Sequence, residues 1–114
     1  MNEVEQYLSD EFAKITGVNV LLTDRKYIKK QKSFVYTLRD FKWIGVDNFI
    51  DILLRRFKRV FGKELDNYIK INYKTGNESR HSYDFVLYVK VLIDLDTLAG
   101  YLRLTQRERE TNAY

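Results

Sequence analysis

The chain has no cysteine and no proline, and only one histidine, one methionine and one tryptophan among its 114 residues. Without cysteine there are no disulfides and no thiol nucleophile. His81 alone cannot complete a zinc set, which draws on several Cys and His ligands. The five glycines (17, 45, 62, 76 and 100) are scattered, and no Pro-rich, Gly/Ser-rich or low-complexity stretch divides the chain. Residues 1–114 therefore read as a single domain, with 106–114 a frayed polar tail. No apolar run approaches the roughly 18 residues of a membrane span. The longest, Phe85 to Ile93, is interrupted by Lys90. The opening Met1-Asn2-Glu3-Val4-Glu5 is acidic and lacks an apolar signal core, which points to a cytoplasmic protein without a membrane partner.

What the chain does contain is apolar surface and segregated charge. Hydrophobic residues make up 45% of it, so wholesale disorder is excluded. Size scaling for 13.7 kDa gives a folded surface of about 6,600 Å² against about 19,900 Å² unfolded, enough burial for a core without staples. The net charge of +4 conceals two basic segments. Residues 24–42 carry Arg25, Lys26, Lys29, Lys30, Lys32, Arg39 and Lys42 against Asp24 and Asp40. Residues 55–63 carry Arg55, Arg56, Lys58, Arg59 and Lys63 and no acid. Each segment sums to +5, leaving the remainder at −6. Such segregation can steer a polyanion, or simply keep a surface solvated.

Periodicity orders the elements. Val4, Leu8, Phe12 and Ile15 recur at helical spacing over 2–16, with Tyr7 flanking; Asn2 and Glu5 hold the capping-box positions and Gly17 the stop. Val18, Val20 and Leu22 alternate as a strand. Residues 24–32 form a basic connection from which Tyr27-Ile28 can extend a strand, and Phe34, Tyr36 and Leu38 alternate as a second strand. The strongest helix runs from Val46 to Phe61. Its Phe49, Ile50, Leu53, Leu54, Phe57, Val60 and Phe61 fall within an arc of about 140°, opposite the basic residues. Asp47 is its expected cap, Trp43 a core anchor before it, and Gly62 its stop. Asn67 to Lys74 and Ser82 to Ile93 alternate as a hairpin around a turn-rich 75–81. Asp94 or Asp96 caps a last helix carrying Leu95, Leu98 and Leu102.

The order α-ββ-α-ββ-α predicts an α+β fold: a four-stranded, mainly antiparallel sheet with helices on one face. A winged helix is the alternative, but it needs two further helices where 18–39 reads as strands. Within the second hairpin, Ile69, Ile71 and Tyr73 must share a face with Tyr83, Phe85 and Leu87, because a one-residue slip would bury lysines. Pairing Ile71 with Phe85 is preferred, since it sets Tyr68 opposite Tyr88 as one aromatic platform beside Lys70 and Lys90. Pairing Lys70 with Asp84 is also tolerable.

Chemistry-bearing motifs are scarce. There is no phosphate-cradling glycine loop, nucleophile elbow or dinucleotide fingerprint. Asp84, Asp94 and Asp96 can be written as a Mg²⁺ set, but Asp94 and Asp96 sit where helix caps belong. Asp40-Phe41-Lys42 matches only the local tripeptide of a nuclease core. No metal, cofactor, catalytic residue or small-molecule substrate is therefore expected, and the chain reads as no enzyme. The Tyr/Lys-rich style, in stretches such as Tyr27-Ile28-Lys29-Lys30 and Tyr68-Ile69-Lys70-Ile71, resembles the small uncharacterised proteins of crenarchaeal rod-shaped viruses. That resemblance implies work on viral DNA in the cytoplasm of a hot, acid-dwelling host, and supplies no site residues.

Two function classes remain. The first is nucleic-acid binding, to duplex DNA with little sequence preference, with Arg55, Arg56, Arg59, Lys26, Lys29 and Lys30 on phosphates. The second is a protein-interaction or structural module, a homodimer built on a sheet edge or on the face bearing Tyr68, Tyr88, Lys70 and Lys90. Convergence of the basic segments on one side favours the first; opposite sides favour the second.

Overall fold

A computed structural model describes residues 1–17, 23–42 and 46–112. Helix α1 (Glu3–Thr16) opens with the expected capping box: the Glu5 N–H donates to Asn2 Oδ1 and the Asn2 N–H to Glu5 Oε2, both at 2.9 Å. It ends at Gly17, whose φ of +73° suits a residue without Cβ. Strands β1 (Thr23–Ile28) and β2 (Ser33–Lys42) follow, joined by a 3₁₀ turn over Lys29–Gln31. Then come helix α2 (Val46–Phe61), a second 3₁₀ turn (Gly62–Glu64), the one-turn helix α3 (Leu65–Tyr68), strands β3 (Ile69–Gly76) and β4 (Ser82–Val91), and helix α4 (Leu95–Asn112).

The four strands form one antiparallel sheet in the order β1-β2-β4-β3, so β1 and β3 are its edges. The α+β architecture and its element order are those expected, with α3 and two 3₁₀ turns added. The long helices α1, α2 and α4 share one core with one face of the sheet. Leu8, Phe12, Leu53, Phe57, Phe61, Leu98 and Leu102 pack there with Phe34, Tyr36, Phe85, Leu87 and Val89, all almost fully buried. Phe12 meets Phe34 edge-on at 5.4 Å and Phe57 at 6.1 Å. The Tyr36 hydroxyl donates to the Ser9 carbonyl at 2.8 Å, fastening β2 to α1.

Several expectations need correction. The strand expected at 18–22 lies outside the described residues, as does Trp43. Strand β1 instead occupies what reads as a basic connection. Its charges are compatible with an edge: Arg25 pairs with Asp10 of α1 at 2.7 Å, and Asp24 with Arg39 of β2 at 2.6 Å. Strand β2 runs on to Lys42 through a register shift between Leu38 and Phe41. Asn67 and Tyr68 belong to α3, not to a strand. Leu54, placed on the apolar arc of α2, is 40% exposed. The backbone of 106–112 continues α4.

The β3–β4 register also differs. Ile71 faces Val89 and Tyr73 faces Leu87, not Phe85 and Tyr83. The partition of faces holds, because the offset is an even number of residues. The turn sets the pairing. Asn77 takes φ +46°, and its Nδ2 donates to Asp84 Oδ2 at 2.8 Å; Ser79 Oγ donates to the Ser82 carbonyl at 3.0 Å. Strand β3 thus extends two residues past Lys74, to Gly76 opposite Asp84, whereas β4 starts at Ser82 as expected and stops at Val91.

Candidate nucleic-acid interface

The second face of the sheet carries none of the three long helices, and pairing places its side chains in rows. Lys26, Val35, Tyr88 and Asn72 form one row across all four strands. Asp24, Thr37, Val86 and Lys74 form the next, and Ile28, Ser33, Lys90 and Lys70 a third. Alternation in β1 confirms the sidedness: Arg25 and Tyr27 point to α1 and Phe34, so Lys26 points away. Val35 is buried at the centre while Lys26, Lys70, Lys74 and Lys90 are exposed around it. Tyr88 is half-buried, with the Lys74 ammonium 5.7 Å from its ring centroid.

The tip of the β1–β2 hairpin adds Lys29, Lys30 and Lys32, all exposed, at the end of the sheet where Lys70 and Lys90 lie. Lys32 takes φ +48°, and its carbonyl accepts the Val91 N–H at 2.8 Å, which ties the tip to β4. Lys70 and Lys90 stand directly opposite each other. Like charges so placed repel, and a bound anion relieves that repulsion. The two carboxylates described on this face are both engaged. Asp24 pairs with Arg39, and Asp84 accepts from Asn77 and lies 3.7 Å from Arg39.

The α2 cations lie elsewhere. Because α2 buries Leu53, Phe57 and Phe61 in the shared core, its exposed Arg55, Lys58 and Arg59 face solvent on the helix side of the molecule. Arg56 is tied down: its Nη1 donates to the Thr16 carbonyl at 2.8 Å, at the C-terminal end of α1. Of the residues expected on phosphates, the fold therefore brings Lys26, Lys29 and Lys30 to the sheet side with Lys70, Lys90 and Tyr88. It leaves Arg55 and Arg59 on the other side and gives Arg56 a structural partner. Tyr68 leaves the sheet face altogether, packing edge-on against Phe61 at 6.2 Å and Tyr101 at 5.0 Å. Lys74 and Lys32 join the sheet side without having been singled out. The parity that selected Lys70 also selects Lys74.

No metal set gathers among the described residues. The Asp94 carboxylate accepts the Thr97 N–H at 3.2 Å as the α4 cap, and His81 is exposed in the β3–β4 turn. The shifted ionisations belong to core tyrosines. Burial pushes the Tyr36 and Tyr83 hydroxyls above their ordinary range, and burial followed by the nearby Glu5 carboxylate does so for Tyr27. Among the described residues no helix is long and apolar enough to cross a membrane. No protein-family model, curated protein or solved structure matches the chain.

Proposed function

We propose that the chain is a non-enzymatic nucleic-acid-binding protein of the cytoplasm that lays the helix-free face of its sheet, with the β1–β2 tip, against duplex DNA. Lys26, Lys29 and Lys30 lie on the opposite side from Arg55 and Arg59, which taken alone favours an interaction module. The observation that carries the DNA reading is instead the ring of Lys26, Lys70, Lys74 and Lys90 around Tyr88, extended by Lys29, Lys30 and Lys32, with the facing carboxylates already paired. Lysines are strongly hydrated point charges on flexible stems and suit phosphate contact without base readout. One half-buried tyrosine, its ring approached by Lys74, makes a thin stacking platform, which favours backbone contact over splayed single strands. A viral origin, as the compositional resemblance implies, belongs with this reading.

Fluorescence anisotropy with unrelated duplexes and a matched single strand is the test. Five neutralised phosphates give a slope of log K against log salt of roughly −4.5 on duplex DNA. Similar affinity for all duplexes and weaker binding of the single strand are expected. Absence of binding at about 50 mM salt, where such contacts are strong, rejects the proposal.

A further inference from the structure

Edge strand β3 offers a second surface, which shares Lys70 and Lys74 with the face proposed for DNA but is tested without nucleic acid. Among the described residues it pairs only with β4. The Leu92 N–H donates to the Tyr68 carbonyl at 2.8 Å, in line with the β3–β4 register. In an antiparallel ladder these inward-bonding pairs alternate. The backbone N–H and C=O groups of Ile71 and Tyr73 are consequently turned outward, away from β4. Next to them lies a groove of about 320 Å³ lined by Leu54, Leu65, Ile69, Ile71 and Leu92, together with Asp66 and Lys70. Leu54, Tyr73 and Leu92 are 40–45% exposed, an unusual concentration of apolar side chains at one edge. Lys70 and Lys74 flank the same edge on the opposite face of the sheet.

We infer that β3 is a docking edge for an extended acidic peptide segment of a partner protein, one that alternates apolar and carboxylate side chains. A strand added to β3 bonds to the outward backbone groups of Ile71 and Tyr73. The residue directly opposite Ile71 enters the groove beside Leu54 and Leu65, and the one opposite Tyr73 lies on the same face beside that exposed ring, which selects apolar side chains at both. The residue between them lies opposite Asn72, on the other face, between Lys70 and Lys74, which selects a carboxylate. The same charges discriminate against a second copy of this chain. Two antiparallel β3 strands keep their faces only when residues of like parity are opposed, and every such central register crowds both copies of Lys70 and Lys74 onto one face.

The probe is a fluorescein-labelled hexapeptide alternating Glu with Val or Ile, compared with a block-ordered peptide of the same composition and a Lys-for-Glu version. Anisotropy should show saturable binding of the alternating acidic peptide, at least about tenfold tighter than of either control. Amide exchange should slow at Ile71 and Tyr73. Leu54→Gln, at a partly exposed position, should weaken binding by about tenfold with an unchanged melt. Lys70→Glu with Lys74→Glu should transfer the preference to the Lys peptide. Equal binding of the block-ordered peptide, protection elsewhere, or no binding overturns the inference. So does a dimer in sedimentation that Leu54→Gln dissolves, since a second copy then occupies the groove.

Discussion

Single residues here work as fasteners between elements rather than as chemical groups. Arg56 is the clearest case. Its guanidinium caps the end of α1 at Thr16, and a Cβ placed on Gly17 would overlap it. Gly17 is thus constrained twice, by φ +73° and by the arginine. Gly17→Ala should cost about 1–3 kcal/mol, combining left-handed strain with displacement of Arg56. In an Arg56→Ala background the collision is gone, so the same change should cost less. A thermal double-mutant cycle measures this coupling, and additive losses would show that the two residues do not interact. Tyr36 fastens β2 to α1 in the same way, and it shares a raised ionisation with buried Tyr83 and partly buried Tyr27. Tyr36, Tyr83 and Tyr27 all ionise above the ordinary value of about 10, since burial disfavours the phenolate. A folded pKa above the unfolded one means that the native state holds its protons longer. The stabilisation is complete below pH of about 10 and is lost as pH climbs toward the folded values. Chemical denaturation should show falling stability above about pH 10, and Tyr36→Phe should flatten that fall while costing roughly 1 kcal/mol for the lost bond to Ser9.

At the scale of the element, α2 shows how far periodicity reaches. Phe57 is fully buried, meeting Phe12 at 6.1 Å and Phe61 at 6.4 Å, whereas Arg55 and Arg59 are exposed. Phe57→Ala should therefore cost about 3–5 kcal/mol, and Arg55→Ala with Arg59→Ala no more than about 0.5 kcal/mol each. Comparable melting losses would mean that the helix presents a different face. The bounds of α1 and α2, the α1 capping box and the burial parity of β4 were all legible because each follows from local spacing. Strand β1 was not. Its Asp24, Arg25 and Lys26 look like loop residues until Asp10 and Arg39, distant in sequence, supply their partners. The β3–β4 register escaped for a related reason. Hydropathy settles which face a residue takes, but the step along the ladder is set by turn geometry at Asn77, which no alternation encodes. Asn77→Ala tests this: a left-handed φ and the bond to Asp84 are lost together, for about 1–3 kcal/mol in a denaturant melt.

For the molecule as a whole, the decisive feature is that all three long helices cover one face of a four-stranded sheet. Among the described residues no long helix covers the other face, and Lys26, Lys70, Lys74 and Lys90 are exposed there. The basic segments seen in the sequence become two cationic surfaces, not one. Sequence alone could not say so, because Lys26 and Arg55 reach opposite sides only through the sheet between them. That separation makes the DNA proposal locatable. Lys70→Ala with Lys90→Ala removes two cations from the helix-free face while relieving their mutual repulsion, so the fold should melt no earlier. The pair should shrink the salt slope on duplex DNA by about 2, the value for two lost phosphate contacts, and weaken binding to every sequence alike. Arg55→Ala with Arg59→Ala lowers net charge equally and should leave the slope unchanged, because long-range attraction falls off within about 8–10 Å at moderate salt while direct contacts persist. Anisotropy titrations of the two double variants across a salt series make the comparison at constant charge. If the arginine pair lowers the slope and the lysine pair does not, DNA binds along α2 and the bare face serves something else; if both lower it by the same amount, binding follows net charge and has no defined face.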